Sequence, residues 1–575
     1  MTRRSLLHAL YRNMSSARRR QLLALLGMML ACALAEALMI GATLPFLALL
    51  ADPSGATLPV QVSEALAEAG ANPLVLAALL LTGSALLLAV LRLGLLWHQQ
   101  RFAMRYGHEL GGFVFARMLR QPYLAHLSRN SSEMLAGMEK AERIVLALLQ
   151  PALQGLVAVV LSLFVMATLL LVDAVAATIA AIVTAGAYAA VTLITRRRLL
   201  SNSKIIAGAI TARNQTVREA LGGIRDVLLD GSQGLHEAKY AEVDTRNRRA
   251  QAENVFMGQA PRYVVEAVGV IALSAVALLV SRGEGGFAEA VPVLGALALG
   301  AQRLLPLLQQ GWAGYSQFTS HQQWLRDVVA LMELPIEEES GPAPLPLPLR
   351  GELRVDHLSF AYRPDRPVID DLSCSIKAGE RVGLAGPTGS GKSTLADLLM
   401  GLIEPTGGRI LIDGQPLTRH LRRAWQANIA HVPQTIYLTD DSIRANIALG
   451  VPRQQVDEKR LAEVARAAQL DRFIGSLPEG WDTRVGERGV QLSGGQRQRI
   501  GLARALYKQA NVLVLDEATN ALDQLTEAAV LRAIGELDRR MTVIMIAHRP
   551  AALELCDRVI SLGQRLPHES PQLAR

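Results

Sequence analysis

The sequence is poor in cysteine and, over its first half, poor in charge. Cys32, Cys374 and Cys556 are the three thiols in 575 residues, each isolated from the others. Their spacing excludes a disulfide framework and a cysteine metal cluster, and it suits a reduced, cytosolic setting for the C-terminal half. Charged residues make up 19% of the chain but are sparse before about residue 335, and segment 51–71 holds Asp52, Glu64 and Glu68 with no basic residue. With 50% hydrophobic residues and a mean hydropathy of +0.24, much of this half is expected in lipid rather than water. The net charge of +8 and pI near 9.6 fit nucleic-acid binding in principle. The basic residues, however, cluster beside apolar runs, where they serve to orient a membrane protein, so no nucleic-acid partner is expected.

Residues 1–20 carry Arg3, Arg4, Arg12, Arg18, Arg19 and Arg20, and an apolar run then continues from Gln21 to about Leu50. That run is too long for a signal-peptide core and reads as a first spanning helix. Leu30-Ala31-Cys32 resembles a lipoprotein cleavage box, but cleavage there would remove half of the helix. Further runs at about 72–98, 143–172, 174–196, 259–281 and 286–313 are each long enough for a hydrocarbon core of about 30 Å. Six spans are therefore expected. Arg and Lys gather in 1–20, 101–143 and 195–250, which places both termini in the cytoplasm by the positive-inside rule. Val62–Glu68, on the opposite side, reads either as a short helix on the membrane surface or as a plain loop.

Between the spans, the basic segments are polar and helical in pattern, with no proline between Thr195 and Gln259. The spans are expected to continue past the membrane as cytoplasmic helices. Breaks at Gln121-Pro122 and at Asp230–Gly234 would turn the chain, leaving surfaces near 121–130 and 224–236 as couplers to the C-terminal domain or as ordinary hairpin turns. Glu36, Arg92, Arg262, Glu266 and Arg303 are ionisable residues inside apolar runs, where a charge is costly unless it meets a partner or water. The three arginines fall toward the cytoplasmic ends of spans two, five and six. Either they line a wet cavity and bind phosphate oxygens, or they snorkel to the interface. An acidic, then proline-rich linker at 335–350 ends this half.

Beyond it, short β-rich runs at 353–361, 381–385, 512–516, 542–547 and 558–562 alternate with helical patterns, as in a mixed α/β domain. Gly386-Pro387-Thr388-Gly389-Ser390-Gly391-Lys392-Ser393 is a complete G-x-x-x-x-G-K-S loop between a strand and a helix that starts at Thr394. Its glycines let backbone N–H groups close on a phosphate at a helix N-terminus, Lys392 supplies a mobile charge, and the Ser393 hydroxyl can ligate Mg²⁺. Val512–Leu515 reads as a buried strand ending in Asp516-Glu517. Asp516 is placed to orient Mg²⁺ and its water, and Glu517 to polarise an attacking water.

Together with Leu492-Ser493-Gly494-Gly495-Gln496, these motifs resemble those of the ATP-binding cassette (ABC) transporters. In that family the signature binds the γ-phosphate of ATP held by the opposite subunit. The resemblance extends to Gln434 in His431–Gln434, to Asn520–Asp523, to His548, and to Tyr362 in Phe360–Tyr362. It implies that Gln434 senses Mg²⁺, that Asp523 couples the two sites, that His548 contacts the γ-phosphate, and that Tyr362 stacks on adenine. Asn520 stands where the family usually has serine, a departure that bears on subunit communication rather than hydrolysis. Thr483–Gly489 resembles the loop found in exporters. One motif set per chain implies a homodimer with twelve spans, two competent sites, and ATP and Mg²⁺ as cofactors. The expected architecture is an all-α six-helix transmembrane domain of the ABC exporter type (1–334), the linker (335–350) and an α/β P-loop nucleotide-binding domain (351–575). The expected location is the bacterial cytoplasmic (inner) membrane, multi-pass, with the nucleotide-binding domain cytoplasmic.

Within the family, the membrane half resembles the PglK-type flippases of lipid-linked oligosaccharides, in Ala35-Glu36-Ala37, Leu44-Pro45-Phe46, Leu91-Arg92, Pro261–Glu266 and Arg303–Pro306. That resemblance implies that Arg92, Arg262 and Arg303 contact the diphosphate of a polyprenyl-linked glycan, which ATP drives to the outer face. A multidrug or lipid A exporter shares the cassette and the topology. A peptide exporter is disfavoured because no protease-like domain precedes the first span, and a soluble cassette ATPase is disfavoured by the six apolar runs.

Overall fold

The computed structural model describes residues 3–51, 73–172, 174–281, 286–337, 344–486, 489–518, 524–547 and 549–563. The surface helix expected at 62–68, Asp173 between the runs 143–172 and 174–196, the middle of the linker, Asn520–Asp523 and His548 lie outside the described residues. The chain divides into two compact units, one of Met1–Gln121 with Ala125–Glu337, the other of Pro122–Leu124 with Glu338–Arg575.

The first unit is helical: α1 (Arg3–Arg12), α2 (Ser16–Ala51), α3 (Pro73–Leu119), α4 (Ser131–Ile144), α5 (Gln150–Val172), α6 (Ala174–Gly222), α7 (Ile224–Leu229), α8 (Gln233–Ser281), α9 (Gly286–Ser320) and α10 (Gln322–Met332). Helices α3, α6 and α8 run 47, 49 and 49 residues, about 70 Å each at 1.5 Å per residue. A bilayer core takes up less than half of that length, so they project well beyond it. Among the described residues, Ser16–Thr43, Leu74–Leu119 and Ser131–Leu171 are long and apolar enough to cross a membrane. The other apolar runs of the sequence fall on α6, α8 and α9. Leu79, Leu86 and Leu93 are exposed at seven-residue intervals along α3, a stripe suited to lipid.

Buried apolar clusters hold the helices together. Leu25, Met29 and Cys32 of α2 pack with Leu95 and Phe102 of α3, Leu161 and Val165 of α5, and Leu304 and Leu307 of α9. A second core joins α1 to α3, α4 and α10 through Leu6, Leu10, Val114, Ile144 and Leu325. Helices α5 and α9 touch backbone to backbone, since a Cβ on Gly314 would sit 2.6 Å from the Pro151 carbonyl oxygen and 2.8 Å from the Gly155 Cα. The run expected as one span over 143–172 contains a turn of π-helix at Val145–Leu149, between α4 and α5.

The second unit is built on two sheets. A five-stranded parallel sheet has the order β6-β7-β8-β3-β9, formed by β3 (Arg381–Ala385), β6 (Ile429–Val432), β7 (Val512–Asp516), β8 (Thr542–Ile546) and β9 (Arg558–Ser561). Val512–Leu515 and Thr542–Ile546 are buried throughout, as central parallel strands covered on both faces must be. An antiparallel sheet of β1 (Glu352–Arg363), β2 (Arg366–Lys377), β4 (Gly407–Ile412) and β5 (Gln415–Pro416) has the order β2-β1-β4-β5. The C-terminal ends of β3 and β7 flank that of the central strand β8, which pairs with both. Open α/β sheets bind ligands at that end.

Candidate nucleotide site and membrane cavity

Strand β3 delivers the chain into the phosphate loop, and α11 (Lys392–Leu399) leaves it. Gly386 adopts φ +150, where a Cβ would lie 2.5 Å from the Leu562 carbonyl oxygen and 2.7 Å from Ser390 Oγ. Gly391, with φ +90, occupies the cap of α11. Only glycine fits such a tightly wound loop at these two positions. Lys392 is buried, and its Nζ donates to the carbonyls of Gly386 at 2.9 Å and Pro387 at 3.0 Å. The ammonium is thereby held at the loop's inner face. Ser390 Oγ is buried there with no hydrogen-bond partner, a polar atom that a phosphate oxygen would satisfy.

Ser393 and Asp516 meet across this loop, the Ser393 hydroxyl donating to the Asp516 carboxylate. Burial pushes Asp516 above the ordinary carboxylate range and the neighbouring Glu517 charge adds to this, while Lys392 and the Ser393 bond oppose it. A divalent cation would relieve that strain on the acidic pair, so Ser393, Asp516 and Gln434 fit Mg²⁺. Glu517 has φ +49, an uncommon conformation for a side chain larger than glycine. Its backbone N–H donates to Ile546 at 3.0 Å, and its carboxylate accepts from Gln434 Nε2 at 2.7 Å. The two side chains assigned to sensing and to water activation are thus in direct contact.

Tyr362 stands half-exposed, edge-on to Phe360 with ring centroids 4.9 Å apart, and its hydroxyl shares a 3.3 Å hydrogen bond with Thr394 Oγ1. The ring therefore flanks the start of α11, where a base attached to loop-bound phosphates would lie. Thr388 and Gly389 are exposed at the loop's tip. Ser493 caps α12 (Gly494–Tyr507) through a capping box: its Oγ accepts from Gln496 N at 3.2 Å, and its N–H donates to Gln496 Oε1 at 2.8 Å. Gly494 and Gly495 form the first turn. Ser493 and Gln496 bond to each other at the start of α12. Asp397, not singled out in the sequence, lies near Asp516, and burial together with that charge pushes it up to about 6. Its position one turn into α11 was readable from spacing, but its acidic neighbour was not.

In the helical unit, Arg92 and Arg303 line one cavity of about 390 Å³ with Gln99, Gln154, Gln302 and Gln310. Glu36 lies behind the two arginines, fully buried, with Oε2 2.5 Å from Arg92 Nη2 and Oε1 3.8 Å from Arg303 Nη1. Arg262 does not line this cavity. It pairs one turn along α8 with Glu266 at 2.7 Å. Two of the three arginines expected to act together therefore do share a site, and the third is held by its own helix.

A parallel sheet that presents a phosphate loop, an acidic strand end and a capped signature helix, on a chain that also carries a helical membrane unit, defines a transport ATPase of the cassette class. Residues 23–300 match the ABC transporter transmembrane region and residues 369–520 match the ABC transporter domain. The chain belongs to the ABC transporters, as an exporter half-transporter with one membrane domain and one nucleotide-binding domain. ATP and Mg²⁺ are the cofactors of that domain.

Among curated relatives, the chain is similar to the ATP-dependent lipid A-core flippase of Ralstonia nicotianae, 34% identical over 375 residues that make up 64% of this chain and 62% of that one. It is 35% identical to the protein of the same name in Cupriavidus metallidurans over 60% of this chain and 59% of that one. The chain thus spans about three fifths of the length of these relatives. The structure of a bacterial Atm1-family ABC exporter with ATP bound superposes with a TM-score of 0.77 at 26% identity, over 95% of this chain and 94% of that one.

Proposed function

We propose that this protein is an ATP-driven flippase that moves a phosphate-bearing glycolipid across the bacterial cytoplasmic membrane, acting as a homodimer with both termini and the cassette on the cytoplasmic side. The observation that carries the reading is the shared cavity of Arg92 and Arg303. Planar guanidinium groups among membrane helices are costly unless they recognise an anion. Residues 1–334 would form the membrane domain, 335–350 the linker and 351–575 the cassette.

In the cassette, Gly386–Thr394 and Tyr362 would bind ATP, which supplies the phosphoryl group to be cleaved, and Ser393, Gln434 and Asp516 would hold Mg²⁺. Glu517 would take the proton of the attacking water, with Gln434 and His548 orienting it. Ser493–Gln496 and Asp523 of one protomer would close on the site of the other. The cargo that fits the arginine pair is an oligosaccharide joined through a diphosphate to a polyprenyl chain. The names of the relatives favour a second cargo of related chemistry, a phosphorylated lipid A core.

ATPase activity of the chain in nanodiscs tests the reading. Stimulation by a polyprenyl-diphosphate oligosaccharide supports the first cargo, stimulation by a lipid A core alone supports the second, and stimulation by neither, with a response to apolar drugs, would point to a multidrug exporter.

A further inference from the structure

Among the described residues Glu36 is the one acidic group in contact with the arginine pair, and phosphate recognition gives it no role. It lies on α2, fully buried, and faces Arg92 of α3 and Arg303 of α9. Oε2 is bonded to Arg92, whereas Oε1, 3.8 Å from Arg303, has no hydrogen-bond partner. The arginines themselves are 42% and 45% exposed. The carboxylate is thus enclosed and does not line the cavity, whereas both arginines do. Each guanidinium carries five N–H donors, so most remain for a ligand in front. Gln99 adds a buried amide whose Nε2 has no partner, and Gln154, Gln302 and Gln310 line the cavity without charge. Among the described residues, two cations and one anion leave the site with a net charge of +1.

We propose that Glu36 is a built-in counter-ion that competes with the cargo's phosphate for Arg92 and Arg303. It keeps the pair in place between transport cycles and holds phosphate affinity low enough for release. This inference rests on the reading that the arginine pair binds phosphate. The physical reason is that a carboxylate within hydrogen-bond reach of a guanidinium takes up part of its field, and at effective dielectrics typical of such sites a second anion nearby loses much of its attraction. Removing the carboxylate's charge while keeping its shape raises the net charge to +2. A substrate held that tightly leaves slowly, because affinity differences are expressed mainly in the dissociation rate.

The test is direct binding of a short-chain polyprenyl diphosphate to the full-length protein in nanodiscs. Glu36→Gln is expected to bind it about tenfold more tightly than wild type and to flip it more slowly at saturation. Glu36→Asp, which retains the carboxylate but withdraws it by one methylene, is expected to fall between the two and stands in if the Gln variant does not fold. Binding by Glu36→Gln or Glu36→Asp that is weaker than wild type, alongside loss of binding in Arg92→Ala/Arg303→Ala, overturns the counter-ion role and leaves Glu36 as a prop for the arginines. Unchanged binding in Arg92→Ala/Arg303→Ala overturns the phosphate reading itself, and the counter-ion with it.

Discussion

The side-chain amide of Gln434, just after β6, donates a 2.7 Å hydrogen bond to the carboxylate of Glu517 at the end of β7. The contact fixes the carboxylate's direction beside the Ser393–Asp516 pair, where a water held on Mg²⁺ and the terminal phosphate would meet it. A residue whose φ is +49 is held in that pose by surrounding contacts, among them its backbone N–H on Ile546 and its side chain on Gln434.

Glu517→Gln keeps the side chain's shape and removes its basicity. ATP hydrolysis is expected to fall by about a hundredfold or more while nucleotide binding persists, as read by phosphate release and by a fluorescent ATP analogue. Turnover close to wild type would remove Glu517 as the base.

Gln434→Ala takes away the group that aims Glu517 without touching either acid. Losing an orienting partner of this kind costs about 10-fold to 100-fold, and the deficit is expected to shrink at high Mg²⁺. Activity that is equally low at every Mg²⁺ concentration would argue that Gln434 acts on something other than the metal site.

Asp397 holds its proton up to about 6 in the folded protein, above the ordinary value of 3.8. The native state therefore binds more protons than the unfolded one between those values, and stability declines as pH rises through that window. Asp397→Asn is expected to raise the unfolding temperature at pH 8 and to leave it unchanged near pH 4. An equal shift at both pH values would point to packing rather than ionisation.

Gly314→Ala is expected to force α5 and α9 apart, because its Cβ would meet the Pro151 carbonyl and the Gly155 Cα at under 3 Å. Overpacking of this kind costs about 1–3 kcal/mol, visible as a lower unfolding temperature in detergent. Gly83→Ala on α3 has nothing within 4 Å of the new methyl and should be neutral or mildly stabilising.

The parts legible in the sequence are those that short-range pattern encodes. Arg381–Ala385 and Val512–Asp516 were readable as strands because each holds a short uncharged, largely apolar run, Val382–Ala385 and Val512–Leu515, of strand rather than helix length. The loop's glycines announced their positive φ, and the apolar runs fell on helices. Strand β2, Arg366–Lys377, was missed because Asp370, Asp371, Ser373 and Ser375 interrupt its apolar pattern and its pairing with β1 slips register several times. The π turn at Val145–Leu149 leaves the composition of the run unchanged. The break before α7 at Gly222-Gly223 was written in two glycines but hidden by helical residues on either side.

At the cavity the limit is sequence distance. Glu36 and Arg92 are 56 residues apart and Arg303 lies far beyond both, so nothing local pairs them. Arg262 and Glu266, four residues apart on one helix, were the pair that spacing could have joined, and recognising it would have set Arg262 aside from the other two arginines.

Movement of cargo driven by the cassette is the central claim, and leaflet-resolved flipping in proteoliposomes tests it most directly. A fluorescent short-chain polyprenyl-diphosphate glycan, incorporated symmetrically and quenched from outside, is expected to change leaflet when Mg²⁺ and ATP are added to wild-type protein, and to stay put with Glu517→Gln. A lipid distribution that does not respond to ATP in the wild type, in vesicles whose protein hydrolyses ATP, would contradict it.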